Sequence, residues 1–139
     1  MYSLKGKVVK GLGRGSKLLG YPTANMDGKI SGDIRKGVYC GWAKVGNGEV
    51  YKAFISVGYN PHFNNRCSTV ETYILHEFSD DFYGAPIRVI LCSYIRKQKA
   101  FSGVDELIKA ITSDIDKGTK ILDNKYMSVK NRNFFNSVS

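Results

Sequence analysis

The sequence predicts an all-β fold with a C-terminal helix, in which the strands form a small closed antiparallel barrel. Two observations predict this class. Segments rich in β-branched and aromatic residues recur before residue 100, and Gly, Asn, Asp or Pro bound them. Helical periodicity follows only after residue 100. Closure into a barrel is expected because it leaves no unpaired sheet edge and buries one face of every strand.

Five segments are predicted to be strands: residues 4–9, 38–45, 50–57, 69–75 and 87–95. A tight hairpin turn of Gly46, Asn47 and Gly48 is expected between the second and third of them. Successive side chains of a strand point to opposite faces. Alternate residues of each segment are therefore expected to lie in the core.

The helix is predicted from apolar residues at steps of three and four, which are Val104, Leu107, Ile108, Ile111 and Ile115. This apolar face is expected to pack against the barrel. Ser102 with Asp105 resembles a capping box at the start, and Gly118 is a plausible end of the helix. Residues 126–139 are predicted to form a short strand or an extended segment on the surface.

Composition is that of one soluble globular domain covering residues 1–139, with 42% hydrophobic and 24% charged residues. There is no apolar run long enough to span a membrane and no apolar signal region at the N-terminus. The three cysteines lack CxxC spacing, so reduced thiols are expected, with Cys40 and Cys92 as small core residues. We expect a cytoplasmic monomer that binds no membrane, and an organellar fraction stays open.

The net charge of +9 is concentrated near the N-terminus. Residues 1–60 contain ten Lys or Arg and three Asp or Glu, a difference of +7, which leaves +2 for the remainder. Such a field attracts anions, and by itself it fits a nucleotide as well as a nucleic acid.

A glycine-rich, cationic turn is the most informative local feature, and it begins the stretch GLGRGSKLLGYPTAN at residues 11–25. Gly11, Gly13 and Gly15 allow backbone amides to approach an anion closely. Arg14 and Lys17 can donate charge-assisted hydrogen bonds to phosphate oxygens. The spacing fits neither a Walker loop nor the dinucleotide fingerprint, so it implies no α/β fold.

Two neutral oxygen side chains, Thr23 and Asn25, follow this turn. Magnesium in proteins is often held by one or two side-chain oxygens, and substrate phosphates and waters complete its octahedron. The pair therefore predicts a Mg²⁺ site that depends on a bound nucleotide. Mn²⁺ and Zn²⁺ remain alternatives, because such oxygen ligands admit more than one metal.

Seven segments in one order carry a family resemblance: GRGSKLLGYPTAN (13–25), KGVYCGWA (36–43), SVGYNPHF (56–63), TVETYILHEF (69–78), DDFYGAPI (80–87), YIRKQKAF (94–101) and LIKAITSDI (107–115). Together they resemble the riboflavin kinases of eukaryotic type, which make FMN from riboflavin and ATP. The resemblance implies a Greek-key-like barrel of six strands. It also implies a monofunctional enzyme that stops at FMN.

The resemblance also implies roles for single residues. Glu71 would be the catalytic base, although by itself a Glu on an outward strand face is more often a solvated carboxylate. The positions that match the nucleotide site, together with the glycines of the turn, are Gly11, Gly13, Gly15, Lys17, Thr23, Asn25, Ile74, His76 and Tyr83. The segment over the flavin matches at Arg96, Lys99 and Phe101. Gln98 departs from the pattern, since relatives carry an acidic residue there.

The reaction that the resemblance implies is direct transfer of the γ-phosphoryl group of ATP to the terminal ribityl hydroxyl of riboflavin. Two other functions stay open from the residues alone. A basic, tyrosine-rich barrel could bind single-stranded nucleic acid, and its affinity would then fall steeply with salt. A flavin-binding barrel without kinase activity would need no PTAN segment.

Overall fold

The computed structural model of the protein describes residues 2–9, 17–18, 21–26, 30–31, 34–59, 67–76, 84–124 and 129–136. Its strands are β1 (Tyr2–Val9), β2 (Lys17–Leu18), β3 (Tyr21–Met26), β4 (Ile30–Ser31), β5 (Gly37–Val45), β6 (Val50–Tyr59), β7 (Cys67–Ile74) and β8 (Pro86–Arg96). The helices are α1 (Val104–Asp123) and α2 (Val129–Asn136).

Six strands close into an antiparallel barrel in the order β3-β1-β8-β5-β6-β7, because β7 also pairs with β3. The consecutive strands β5, β6 and β7 lie side by side, and β8 returns to pair with β5, which is a Greek-key arrangement. The two-residue strands β2 and β4 pair with β3 and β7. The predicted barrel fold is confirmed.

Alternation along the strands fills the barrel interior with aliphatic side chains. On β6, Ala53, Ile55 and Val57 are fully buried, and on β7, Val70 and Ile74 are 2% and 0% exposed. Residues of the other four barrel strands complete this core, among them Val8, Ala24, Met26, Tyr39, Ala43, Val89 and Leu91. The residues between them point outward, which is how the barrel presents the site described below.

A second apolar cluster lies outside the barrel, where α1 covers β5, β6 and β8. Its buried members are Cys40, Phe54, Tyr73 and Leu122, and Ile111 and Ile115 of the helix pack against them. The prediction that the helix packs against the barrel is confirmed, although Val104 of the predicted apolar face is 64% exposed. Cys40 is buried in this cluster and Cys92 packs against it, as expected for small core residues.

The predicted strands and hairpin turn agree with the structure to within a few residues at each end. Gly46 adopts a positive φ of 56°, and the N–H of Gly48 donates to the carbonyl of Val45 at 3.0 Å. Strand β3 was not predicted. Its sequence, YPTANM, lacks the β-branched and aromatic enrichment of the other strands, so only pairing with β1 and β7 reveals it.

The prediction that α1 ends at Gly118 is wrong. The helix continues to Asp123, and Asn124 ends it with a backbone N–H directed at the carbonyls of Ile121 and Leu122. Gly118 is instead buried, and a Cβ there would lie 2.2 Å from Cε1 of Phe54 and 2.8 Å from Cβ of Cys40. The glycine is therefore explained by close approach of helix and barrel.

The predicted capping box is also wrong. Gly103 is the N-cap residue, and no side chain makes a capping hydrogen bond there. The backbone N–H of Ser102 donates to the carboxylate of Glu106 at 3.3 Å, so Glu106 takes the place that Asp105 was expected to have.

Residues 126–139 contain helix α2 rather than the predicted strand or extended segment. Phe135 is only 2% exposed. Lys44 donates to the carbonyl of Phe135 at 3.0 Å, and Arg88 donates to that of Phe134 at 2.6 Å. Cations are favourable at the C-terminal end of a helix, where carbonyls lack intrahelical partners. Tertiary contacts of this kind stabilise a helix too short for local sequence to predict.

Candidate active site

A cavity of about 540 Å³ lies between the outer face of the barrel and helix α1. The barrel contributes outward side chains of β3, β5, β6 and β7, namely Thr23, Val38, Phe54, Ser56, Glu71 and Tyr73. The end of β8, the loop of residues 97–103 and α1 contribute Arg96, Gln98, Phe101, Val104, Leu107, Ile111 and Asp114. The barrel on one side and helix α1 with its preceding loop on the other thus line one cavity.

Strand register brings the predicted metal and catalytic residues together. Asn25 of β3 lies directly opposite Glu71 of β7, and Glu71 lies opposite Ser56 of β6. One step along the same face, Thr23 lies opposite Tyr73. Directly opposed residues of antiparallel strands have Cβ atoms about 4.5–5.5 Å apart. Glu71 is exposed, and it lines the cavity together with Thr23.

Thr23 and Asn25 are suitable ligands for a divalent cation that also binds phosphate. Both are half-buried, and they alternate with Ala24 and Met26, whose side chains lie in the barrel core. Their outward hydroxyl and amide groups supply hard oxygen donors on one strand face. Among the described residues no group of three or more His, Cys, Asp or Glu could hold a metal ion. A cation bound by Thr23 and Asn25 would take its further oxygen ligands from substrate phosphates or from water.

The opposite side of the cavity is apolar and aromatic. Leu107 and Ile111 come from successive turns of α1, and Phe101 comes from the loop of residues 97–103. Phe54 and Tyr73 face them from the barrel. A flat aromatic ligand that stacks and excludes water would fit such a wall.

Arg96 is fixed by a bidentate ion pair with Asp114 of α1. Its Nε and Nη2 atoms donate to Oδ1 and Oδ2 of Asp114, each at 2.8 Å, and Nη1 donates to the carbonyl of Lys97 at 3.1 Å. Asp114 is only 5% exposed. The guanidinium carbon lies 5.7 Å from the ring centroid of Phe101. Arg96 therefore connects the start of the loop of residues 97–103 to the helix.

The far end of this loop is connected to α1 by the bond between Ser102 and Glu106. Hydrogen bonding from Ser102 lowers the pKa of Glu106 below its ordinary value of 4.5. Because the folded-state pKa is depressed, this contribution to stability is present above pH 4.5 and is lost as the pH falls through the lowered value.

The residues predicted to flank the nucleotide and to bind flavin have different surroundings in the structure. The side chain of Ile74 is 0% exposed inside the barrel, so only its backbone can face a ligand. His76 is half-buried and stacks on Tyr51, with ring centroids 3.9 Å apart. Lys99, predicted to bind flavin, is exposed and is not among the residues that line the cavity. Of the predicted flavin residues, Arg96 and Phe101 line it.

Several predicted site residues lie outside the described part of the chain. These are Gly11, Gly13, Gly15, Arg14 and Tyr83. Lys17 is described only through its backbone, which pairs with Pro22 between β2 and β3.

Sequence reasoning assigned no site role to several residues that line this cavity, among them Asp114, Leu107, Ile111 and Ser56. A signal for Asp114 existed, because an acidic residue on the apolar face between Ile111 and Ile115 calls for a buried partner. Leu107 and Ile111 were assigned to core packing, and periodicity cannot tell a core contact from a cavity wall. No local signal marked Ser56, whose importance comes from its place opposite Glu71.

Comparison with known proteins agrees with this geometry. The family model Flavokinase, described as riboflavin kinase, matches residues 1–122. A riboflavin kinase of Homo sapiens is 42% identical over 139 residues, covering 96% of this chain and 90% of that protein. A bifunctional riboflavin kinase/FMN phosphatase of Arabidopsis thaliana is 44% identical over 88% of this chain and 33% of that protein.

A solved structure, the riboflavin kinase from Trypanosoma brucei, matches with a TM-score of 0.71 and 31% identity. The match covers 99% of this chain and 87% of that one. A small barrel whose cavity brings a hydroxyl group, a carboxylate and an aromatic wall together could accommodate phosphoryl transfer onto a ring-bearing alcohol. With the family match, these findings show that the chain belongs to the riboflavin kinase family.

The chain is accordingly an ATP-dependent kinase that phosphorylates riboflavin to FMN. Membership of this family supports the interpretation as a kinase over the two alternatives considered from the sequence. Those were a nucleic-acid-binding barrel and a flavin-binding barrel without kinase activity. Within the described part of the chain, no helix is long and apolar enough to cross a membrane.

Proposed function

We propose that Glu71 is the catalytic base and that Thr23 and Asn25 hold a divalent cation together with the phosphates of ATP. One observation carries this proposal: Asn25 lies opposite Glu71 across β3 and β7, on the outer face that borders the cavity. Base and cation would then be neighbours on one side of the bound riboflavin.

In the proposed step, the carboxylate of Glu71 accepts the proton of the terminal ribityl hydroxyl as that oxygen attacks the γ-phosphorus of ATP. A new P–O bond forms to the ribityl oxygen, the bond to the β-phosphate oxygen breaks, and ADP leaves. A cation on Thr23 and Asn25 would supply charge neutralisation at the phosphate oxygens. Mg²⁺ is the proposed ion, because hydroxyl and amide oxygens with phosphate suit it best.

The apolar wall of Leu107, Ile111 and Phe101 would hold the isoalloxazine ring and exclude water. We propose that Arg96 acts there through its ion pair with Asp114, and that Lys99 approaches the ligand only from the exposed side of the loop. Water exclusion matters because water would otherwise compete with the ribityl hydroxyl for the γ-phosphoryl group.

The nucleotide would lie along β3 and the neighbouring turn. The resemblance supports Gly11, Gly13, Gly15, Lys17, Ile74, His76 and Tyr83 as its contacts. The positive charge concentrated in residues 1–60 favours a polyphosphate at this end of the barrel. We further propose that residues 1–139 form one kinase domain and that the protein acts as a cytoplasmic monomer.

Replacing Glu71 by Gln tests the base directly. Glu71→Gln keeps the size and a hydrogen-bonding oxygen but cannot accept the proton, so kcat for FMN formation should fall by about 10²- to 10⁴-fold. The dissociation constant of riboflavin, measured by flavin fluorescence, and that of ATP, measured by calorimetry, should stay within about twofold because no binding contact is removed.

Glu49→Gln is the matched control, because Glu49 is an exposed carboxylate next to the turn between β5 and β6. This control should keep full activity. Turnover by Glu71→Gln at the rate of the control would refute the assignment of the base and leave the family membership intact.

A further inference from the structure

The side chain of Gln98 connects the loop of residues 97–103 to the barrel. Its Nε2 atom donates to Oγ of Ser56 and to the carbonyl of Val57, the latter at 3.2 Å. A backbone carbonyl can only accept, so the nitrogen end of the amide must face β6. A carboxylate at this position would have no proton to offer either oxygen at neutral pH.

Strand β6 provides a place for this amide. Gly58 follows Ser56 and Val57, and a Cβ at Gly58 would lie 3.8 Å from Nε2 of Gln98. The amide is thus hydrogen-bonded to the strand beside Gly58, which has no side chain to occupy the space next to it. Gln98 and Ser56 both line the cavity.

Three sets of side-chain hydrogen bonds connect the loop to different parts of the protein. Arg96 with Asp114 and Ser102 with Glu106 join its two ends to α1. Gln98, between those ends, joins the loop to the barrel. Without these bonds the loop would still follow the helix, but its first residues would lack the described hydrogen bonds to the opposite wall of the cavity.

Ser56 also connects Gln98 to the proposed base. Its Oγ accepts from Gln98, which leaves its own hydroxyl hydrogen for another acceptor. The residue opposite it on β7 is Glu71, and directly opposed residues of antiparallel strands have Cβ atoms about 4.5–5.5 Å apart.

We propose that Gln98 is a positioning residue. It fastens the first residues of the loop of residues 97–103 over the riboflavin cavity, and it orients Ser56 so that the serine hydroxyl donates to the carboxylate of Glu71. The fastening follows from the cavity geometry alone, whereas the second part rests on the proposed role of Glu71.

Two substitutions with side chains of nearly the same size as Gln separate the loss of the hydrogen-bond donors from the addition of a negative charge. Gln98→Met removes both donors without adding charge, and Gln98→Glu removes them and places a carboxylate against the Val57 carbonyl. Riboflavin binding is measured without ATP through flavin fluorescence, and kcat and both KM values come from FMN formation. Lys109→Gln, an exposed change on α1, is the control for surface substitutions.

Gln98→Met should raise the riboflavin dissociation constant about tenfold, which corresponds to the loss of one or two net hydrogen bonds. Gln98→Glu should raise it further. The KM for ATP should stay within about twofold for both, and the melting temperature should match that of the control. An unchanged riboflavin dissociation constant in Gln98→Met would overturn the fastening.

Ser56→Ala tests the connection to the base. The fold decrease in kcat should be larger than the fold increase in the riboflavin dissociation constant. The effects of Ser56→Ala and Gln98→Met on kcat should be non-additive in the double variant. Additive effects would contradict the connection. If Glu71→Gln retains turnover, the connection fails together with the base, but riboflavin binding by Gln98→Met still decides the fastening.

Discussion

Gly118 shows how one residue sets the distance between helix α1 and the barrel. The helix crosses β5 and β6 so closely that an added Cβ would lie 2.2 Å and 2.6 Å from two carbons of the Phe54 ring. Phe54 also lines the cavity, so the same contact determines the position of one cavity wall.

Replacing Gly118 by Ala should destabilise the protein although Ala is the better helix former. Overpacking a core contact costs about 1–3 kcal/mol, while the gain in helix propensity is at most about 1 kcal/mol. We expect a lower free energy of unfolding in urea. Lys117→Ala, the exposed neighbouring position, should change it by less than about 0.5 kcal/mol. A more stable Gly118→Ala variant would show that the helix can shift without cost.

At the scale of single residues, sequence reasoning could identify Glu71 as outward-facing and Thr23 with Asn25 as one donor pair. The first inference needs only the two-residue period of a predicted strand, and the second needs only the type and spacing of two oxygen side chains after the glycine-rich turn. It could not place Asn25 opposite Glu71, because register between strands so distant in sequence depends on closure of the whole barrel. The hydrogen bonds of Gln98 could not be predicted from the sequence either, because they join a loop to strand residues 41 and 42 positions away.

Among the elements, the strands rich in β-branched residues were predictable, whereas strand β3 and helix α2 were not. Strand β3 contains Pro22 and Asn25, which are poor strand formers, and its neighbours stabilise it by pairing on both sides. Helix α2 has only eight residues, too few for a stable helix in isolation. Both elements are stabilised by tertiary contacts, which local sequence propensity does not reveal.

Helix α2 should depend chiefly on Phe135, which is 2% exposed, whereas Phe134 is half-buried. Phe135→Ala should lower the free energy of unfolding by about 3 kcal/mol, because it leaves a cavity in a packed site. Hydrogen exchange of the α2 amides should become faster in the same variant. Phe134→Ala is the matched control and should cost clearly less. Equal losses from both substitutions would mean that the helix is held by its backbone contacts to Lys44 and Arg88 alone.

For the molecule as a whole, closure of the barrel and packing of α1 create the site together. The barrel supplies a row of polar groups, Asn25, Glu71 and Ser56, and the helix with its preceding loop supplies the apolar wall. The excess positive charge of residues 1–60 belongs to the same end of the chain as the donor pair Thr23 and Asn25. In the proposed mechanism, phosphate, cation, base and flavin would all bind around this one cavity.

A structure of the protein with riboflavin, Mg²⁺ and a non-hydrolysable ATP analogue is the most direct test of this arrangement. It should place the cation about 2.0–2.1 Å from the hydroxyl oxygen of Thr23 and the amide oxygen of Asn25. The carboxylate of Glu71 should lie about 2.6–3.2 Å from the terminal ribityl oxygen. A cation held away from β3, or a Glu71 carboxylate directed into solvent with the ribityl chain elsewhere, would contradict the account.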